Sequence, residues 1–397
     1  MVNITFGIQA TDNGNGATRC FNWVSVGYYD EYVEYKKNGE IWEQAKTKKS
    51  INTDNYRTEY ASDSNVAEFI NIYKRIKWVT TNNTAVTTHK AIIRGLEEGT
   101  YNYRIRRTSD PNYISEVFNF TVRFTSAVNE GFNFVHTTDQ QAFNFYEYQA
   151  WTKAAQAIST NHNNIHFTLN TGDCTQNGNR ESEWLDYYAG REALRDIEEM
   201  YVIGNNDLCG IVPYELGDGT ASKYKINHKN IQYYYTFEID SNNPPIFKYV
   251  DSNLDINKMG DVLDGNSTMF KYYMPSVYSF NYGNYHFIGL NSEFADNTYQ
   301  IYYNDTAKGG SIKEHAYYNM YKWLEKDLAL NPGKNYVAFM HELPFCIIVG
   351  DSTTNVANAR TQVNGSKLNH DFSNGVLKTE GVDNKVYTGG CSFSELF

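Results

Sequence analysis

Hydrophobic and polar positions follow two different periods along this chain. In the first 125 or so residues they alternate in short runs, at 4–8, 20–24, 32–35, 90–93, 101–105 and 117–122. Alternation at every second position marks strands with one buried face. Turn-rich segments separate the runs, which predicts a small β-sandwich. Trp23 falls in one of these runs and is expected in the sandwich core rather than on a ligand platform. Beyond about residue 126 the period changes. Residues 131–135 read as a strand. Tyr146, Ala150, Trp151, Ala154, Ala155 and Ile158 then recur at helical spacing. Buried strands are expected at 164–169 and 200–203, with a helix over 184–197 between them. Further strands are expected at 285–291 and 336–341. The helix between them, 314–330, carries Met320, Trp323, Leu324 and Leu328 on one side. Residues 211–279 read as loops with short strands such as 233–237. The alternation of strands and helices predicts a layered α/β unit.

Length and charge narrow the picture. A chain of 397 residues can bury two cores. It has no run of 18 apolar residues, so no transmembrane helix is expected. No signal peptide is visible at the start, which leaves the compartment open: cytoplasmic by default, secreted if the N-terminus is incomplete. A net charge of −11 argues against nucleic acid and anionic membranes as partners. A small anionic substrate stays open, because a bound cation can dominate the local field. The five cysteines are odd in number and scattered, which argues against a zinc–thiolate site or a disulfide framework. Cys174 and Cys209 flank polar turns and are expected to be small buried residues.

Four strand ends carry oxygen or nitrogen donors. Asp139 follows the strand at 131–135, and Gly172-Asp173 follows 164–169. Gly204-Asn205-Asn206-Asp207 follows 200–203, and His341 ends 336–341. Glycine allows a sharp turn beside a ligand, and oxygen-rich ledges of this kind suit hard cations.

In this order the set resembles the calcineurin-like metallophosphoesterases. The N-terminal sandwich narrows the resemblance to the purple-acid-phosphatase-like branch. Residues 96–103 also resemble the tyrosine-corner segment of fibronectin type III-like domains. The resemblance implies a mixed, two-domain fold: a sandwich over 1–126 and an α/β/β/α metallophosphoesterase sandwich over 127–397. It implies a phosphatase acting on small phosphorylated substrates through two metal ions, of Fe, Mn or Zn. Asp173 would bridge the ions. Asp139 and Gln141 would serve one ion, Asn205 and His341 the other, while Asn206 and Asp207 would occupy the catalytic positions.

The sequence departs from the family pattern in four places. Gln141 stands where many members have a ligand histidine. Residues 172–176 are Gly-Asp-Cys-Thr-Gln and lack the tyrosinate ligand of purple acid phosphatases. Asn206 replaces the histidine of GNH and cannot act as a general acid. The final GHxH element is absent, and residues 392–397 look like the start of an interrupted helix, so the sequence is expected to be incomplete. Two alternatives therefore stand beside the phosphomonoesterase: a degenerate, non-catalytic binding protein, and a phosphodiesterase acting on cyclic nucleotides or other diesters. His136 and His370 are further candidate site residues. The basic and aromatic stretch 223–235 could grip a phosphorylated ligand or form a solvated loop. His166 and His286 are expected in the core.

Overall fold

The computed structural model describes residues 2–26, 29–52, 86–162, 164–176, 181–208, 277–292 and 316–341. The expected strand at 233–237, the stretch 223–235, His370, Cys209, Cys346, Cys391 and residues 392–397 lie outside them. So does the side chain of Asn205.

Among its described residues the N-terminal region contains eight strands: β1 (Val2–Phe6), β2 (Ala17–Val26), β3 (Glu31–Lys37), β4 (Glu43–Gln44), β5 (Lys46–Asn52), β6 (Val86–Leu96), β7 (Gly99–Arg107) and β8 (Phe118–Val122). They form two antiparallel sheets, ordered β1-β2-β6-β5 and β4-β3-β7-β8. Phe21, Trp23, Val33, Ile93, Tyr103 and Phe120 fill the space between them. Alternation marked six of the eight strands. The two it missed, β4 and β5, are edge strands. Their sequences are almost wholly polar, and that of β5 is lysine-rich, so no apolar alternation marks them; β1 and β8 are edges as well but keep apolar positions. The Tyr101 hydroxyl donates to the Glu97 carbonyl at 3.1 Å. This is the backward hydrogen bond of a tyrosine corner.

A one-turn helix, α1 (Thr125–Asn129), leads into the second region. There β9 (Phe134–Thr137), β10 (Phe167–Asn170) and β11 (Glu198–Tyr201) form a parallel sheet ordered β11-β10-β9. The helices α2 (Gln149–Asn161) and α3 (Glu181–Gly190) connect these strands. They cover one face, where Trp151 stacks on Tyr187 and the Tyr187 hydroxyl donates to Glu199. A second sheet, β12-β13-β14, joins β12 (Tyr278–Tyr282), β13 (Tyr285–Gly289) and β14 (Asn335–Phe339). Its inner face meets the first sheet through aromatic contacts, such as Phe167 against Phe287 at 5.3 Å and against Tyr282 at 5.0 Å. On its outer face lies α5 (Ala316–Leu330), the helix that follows a short α4 (Asn205–Leu208) among the described residues. Asp327 of α5 binds His286 at 2.8 Å and Ser279 at 3.0 Å. The order of layers is helix, sheet, sheet, helix, as the family resemblance implies. His286 and His166 are buried, as expected.

Several boundaries differ from the sequence reading, β9 and β10 among them, each beginning three residues later than expected, and two of the differences have a clear cause. β11 begins two residues early, at Glu198. Glu198 and Glu199 are 2% exposed, and Arg19 and Arg191 balance their charges. Buried glutamates concealed the strand. The helix expected over 184–197 ends at Gly190 and continues as a 3₁₀ turn, Glu192–Leu194. A Cβ at Gly190 would lie 2.5 Å from the Trp151 ring. Close helix packing therefore requires glycine there, and glycine weakens the helix.

The two regions are joined by polar contacts as well as packing. Phe6 of β1 lies in the core of the second region. The Ala10 amide donates to the Asn281 carbonyl at 3.1 Å, and the Asn281 amide donates to the Ile8 carbonyl at 2.9 Å. The Arg19 guanidinium, 1% exposed, meets Glu198 at 2.6 Å and also donates to the carbonyls of Ala10 and Thr121. Among the described residues no helix is long and apolar enough to cross a membrane.

Candidate metal centre

The strands β9, β10 and β14 end together, and the residues just beyond them converge. Donor atoms of Asp139, Asp173 and His341 all lie within 4.8 Å of one another. Backbone hydrogen bonds across the strand ends fix this geometry. The Asp139 amide donates to the Gly172 carbonyl at 3.0 Å, and the Gln141 amide to the Asp173 carbonyl at 2.8 Å. Asp139 and Asp173 have φ of 57° and 56°, and they are the non-glycine residues of positive φ among those described. That conformation costs on the order of 1 kcal/mol each and is held by the surrounding turns.

Glycine is required at two positions. Gly172 has φ of 99°, and a Cβ there would lie 2.5 Å from the Gly204 nitrogen. A Cβ on Gly204 would lie 2.1 Å from Asp173 Oδ1. The Gly-Asp and Gly-Asn turns thus touch backbone to backbone.

His341 is oriented by its Nδ1, which lies 2.8 Å from the Thr171 carbonyl. A carbonyl can only accept, so Nδ1 carries a proton and Nε2 is left with the lone pair in the neutral ring. Nε2 faces Asp173 Oδ1 at 3.5 Å. Asp173 accepts from the Asn206 amide at 2.9 Å, from Asn206 Nδ2 at 2.7 Å and from Gln141 Nε2 at 3.2 Å. Burial pushes its carboxyl above the usual range, and the His341 charge and the Asn206 hydrogen bonds oppose that shift. The Gln141 Oε1 atom is buried and has no hydrogen-bond partner. A buried amide oxygen left unpaired is costly, and a cation would satisfy it.

Asn206 and Asp207 occupy different surroundings. The Asn206 side chain is half-buried between Asp173 and Gln176, whose Nε2 donates to it at 3.1 Å. Asp207 is 0% exposed. Its carboxylate accepts the amides of Asp173 at 2.8 Å, Gly204 at 3.0 Å and Thr175 at 3.0 Å, and also the hydroxyls of Tyr201 and Thr175. Burial, with Asp173 adding to it, pushes Asp207 up to about 6. Its contacts bind the turns together. The backbone of Asn205 opens α4.

The other candidates fall outside the convergent group. His136 lies against the Thr171 hydroxyl at 2.9 Å on an exposed stretch of β9. Cys174 is a buried thiol outside any disulfide, and burial pushes it well above its usual range. Sequence reading missed Thr171, whose carbonyl orients His341, and Tyr201, which binds Asp207. Tyr201 lay in the strand before the turn, where its aromatic character read only as core.

Two carboxylates and a carbonyl-oriented histidine beyond the strand ends make a candidate metal site in an α/β fold. A family model for calcineurin-like phosphoesterases matches residues 132–355, more than half of the sequence. The chain belongs to that family. Among solved structures, a purple acid phosphatase, PPD1 from yellow lupin (Lupinus luteus) seeds, aligns with a TM-score of 0.48 and 13% identity. The alignment covers 83% of this chain and 48% of that one, so the chain spans about half the length of that protein. None of the curated proteins compared matches.

Proposed function

We propose that this chain hydrolyses phosphate monoesters of small molecules at a centre of two metal ions. The observation that carries the reading is the convergence of Asp139, Asp173 and His341 beside the unpaired Gln141 Oε1. These residues fit a cation: each offers an oxygen or nitrogen, one donor lacks any other partner, and no thiolate intrudes. The set suits Fe, Mn or Zn. Asp139 and Gln141 would hold one ion, Asn205 and His341 the other, with Asp173 shared. Two ions would polarise the phosphoryl group and bring the pKa of a water toward neutrality.

The chain's own residues do the rest. Asp173 is held by the amide and side chain of Asn206, which aims its carboxylate at the cluster. Thr171 fixes the tautomer of His341. Asp207 is buried from solvent and meets the cluster through the backbone amide of Asp173, so its role is to position the two turns. Asn206 occupies the place of a proton donor, but its amide donates only hydrogen bonds. The net charge of −11 favours a small substrate over nucleic acid. The reading divides the chain into a sandwich over 1–126 and a phosphoesterase domain over 127–397.

The test combines elemental analysis of the purified protein with turnover of aryl phosphate mono- and diesters. Bound metal, monoester turnover, and loss of both in Asp173→Ala are expected. Bound metal without turnover of either ester would point to a binding role. A preference for the diester would move the assignment to phosphodiesterase.

A further inference from the structure

Among the described residues, eleven large apolar side chains are exposed, and three of them fall within four positions of one loop. Phe143 is 51% exposed, Phe145 50% and Tyr146 83%. The loop runs from the candidate ligand Gln141 to the start of α2. Both its ends are tied to the Gly-Asp turn. The Gln141 amide donates to the Asp173 carbonyl at 2.8 Å, and the Tyr148 hydroxyl donates to the next carbonyl, Cys174, also at 2.8 Å. The six residues between therefore leave and rejoin the turn that carries Asp173.

The loop is also rigid. Glu147 accepts the Phe143 amide at 2.8 Å and Asn144 Nδ2 at 2.8 Å, and Asn144 Oδ1 accepts the Tyr146 amide at 3.0 Å. The buried side chains at its two ends, Ala142 and Tyr148, anchor it in the core. Phe145 and Tyr146 meet edge to face at 5.9 Å. Aromatic surface held outward by a fixed backbone loses little entropy on binding a ligand. A planar ring prefers the stacked or edge-on geometry that such faces offer.

We propose that Phe143, Phe145 and Tyr146 form an aromatic platform that selects phosphoesters carrying a planar aromatic group on the leaving side. This rests on the phosphoesterase reading of the neighbouring site. The shared chemistry is a π-face joined to a phosphoryl group, whether the ring is a simple aryl group or a nucleobase.

Phosphonates test the idea by equilibrium binding, independently of turnover. The full chain, supplied with Mn²⁺ or Zn²⁺, is titrated with methyl-, cyclohexyl- and phenylphosphonate and with a nucleoside 5′-phosphonate. Phenylphosphonate should bind roughly five- to tenfold more tightly than cyclohexylphosphonate, the size of an aromatic stacking contact. A nucleoside phosphonate tighter than phenylphosphonate would assign the platform to nucleobases, and the reverse order to simple aryl groups. The combined variant Phe143→Ala, Phe145→Ala and Tyr146→Ala should erase the phenyl preference, keep methylphosphonate affinity and keep the parent's melting temperature. Equal phenyl and cyclohexyl affinities in the parent would overturn the platform. So would a variant that melts lower with selectivity unchanged, since the rings would then be packing residues. Absence of phosphonate binding would overturn platform and phosphoesterase reading together. Ring-dependent binding without ester turnover would sustain the platform and overturn only the hydrolysis.

Discussion

The buried Asp207 carboxylate accepts the backbone amide of Asp173 at 2.8 Å. With the amides of Gly204 and Thr175 it makes one acceptor for three donors that have left water. Each buried donor left unpaired costs about 1–3 kcal/mol. Asp207→Ala should therefore lower stability by several times that of an ordinary surface change and weaken metal binding with it. Thermal unfolding alongside a metal titration measures both. A variant that melts like the parent but no longer turns over substrate would give Asp207 a direct chemical role.

Asn206 supports a prediction about leaving groups. An amide cannot deliver a proton, so a departing oxygen must leave as its anion. Rates for a series of aryl phosphates should fall steeply as the pKa of the phenol rises. Asn206→His should flatten that slope. A flat series in the parent would count against the argument.

Arg19 and Glu198 join the sandwich to β11 through a contact of 2.6 Å that neither shares with solvent. Removing one partner strands the other charge, a loss of about 3–5 kcal/mol. Arg19→Met should be strongly destabilised in urea unfolding. Adding Glu198→Leu should recover most of the loss. Equal midpoints for the single and double variants would show that the pair is not the source.

His89 sets a pH dependence. Its ring stacks on Trp23 at 5.0 Å, and its Nε2 lies 2.9 Å from the Ser25 hydroxyl. Glu31, 3.7 Å away, is already engaged by Arg107 and Trp23. Burial pushes the ring down to about 4. The unfolded chain takes up its proton near 6.5, while the folded chain refuses it until about pH 4. The contribution is therefore complete above pH 6.5 and is lost as pH falls toward 4, on the order of 3 kcal/mol in all. His166, also pushed down to about 4 by burial, adds a loss of the same sign. Urea midpoints between pH 7 and 4 should fall less steeply in His89→Gln than in the parent.

The elements that sequence revealed are those whose residues obey one period. Alternation marked the sandwich strands with a buried face, and helical spacing marked α2, although of the expected face only Trp151 and Ala155 are buried: Tyr146 precedes the helix and is exposed, as are Ala150 and Ala154. What it hid was polar. Buried Glu198 and Glu199 look like surface residues until Arg19 and Arg191 are seen beside them. The sequences of β4 and β5 are almost wholly polar, so no alternation marked them. At the site, Asp139, Asp173 and His341 were legible because strand ends and turn glycines surround them. The division of labour between Asn206 and Asp207 was not. Adjacent in sequence, they point to different places, one toward Asp173 and one into the backbone of both turns.

The contact between Gly172 and Gly204 makes the two turns a single part. Neither can be lengthened, shifted or given a side chain without displacing the other, since a Cβ on Gly172 would strike Gly204 and one on Gly204 would strike Asp173. The spacing between the two ledges is therefore a mechanical stop, set by van der Waals contact between main chains. Tuning this centre for a larger ion or a wider substrate by single substitutions has to proceed through the loops above it, because the floor has no slack to give.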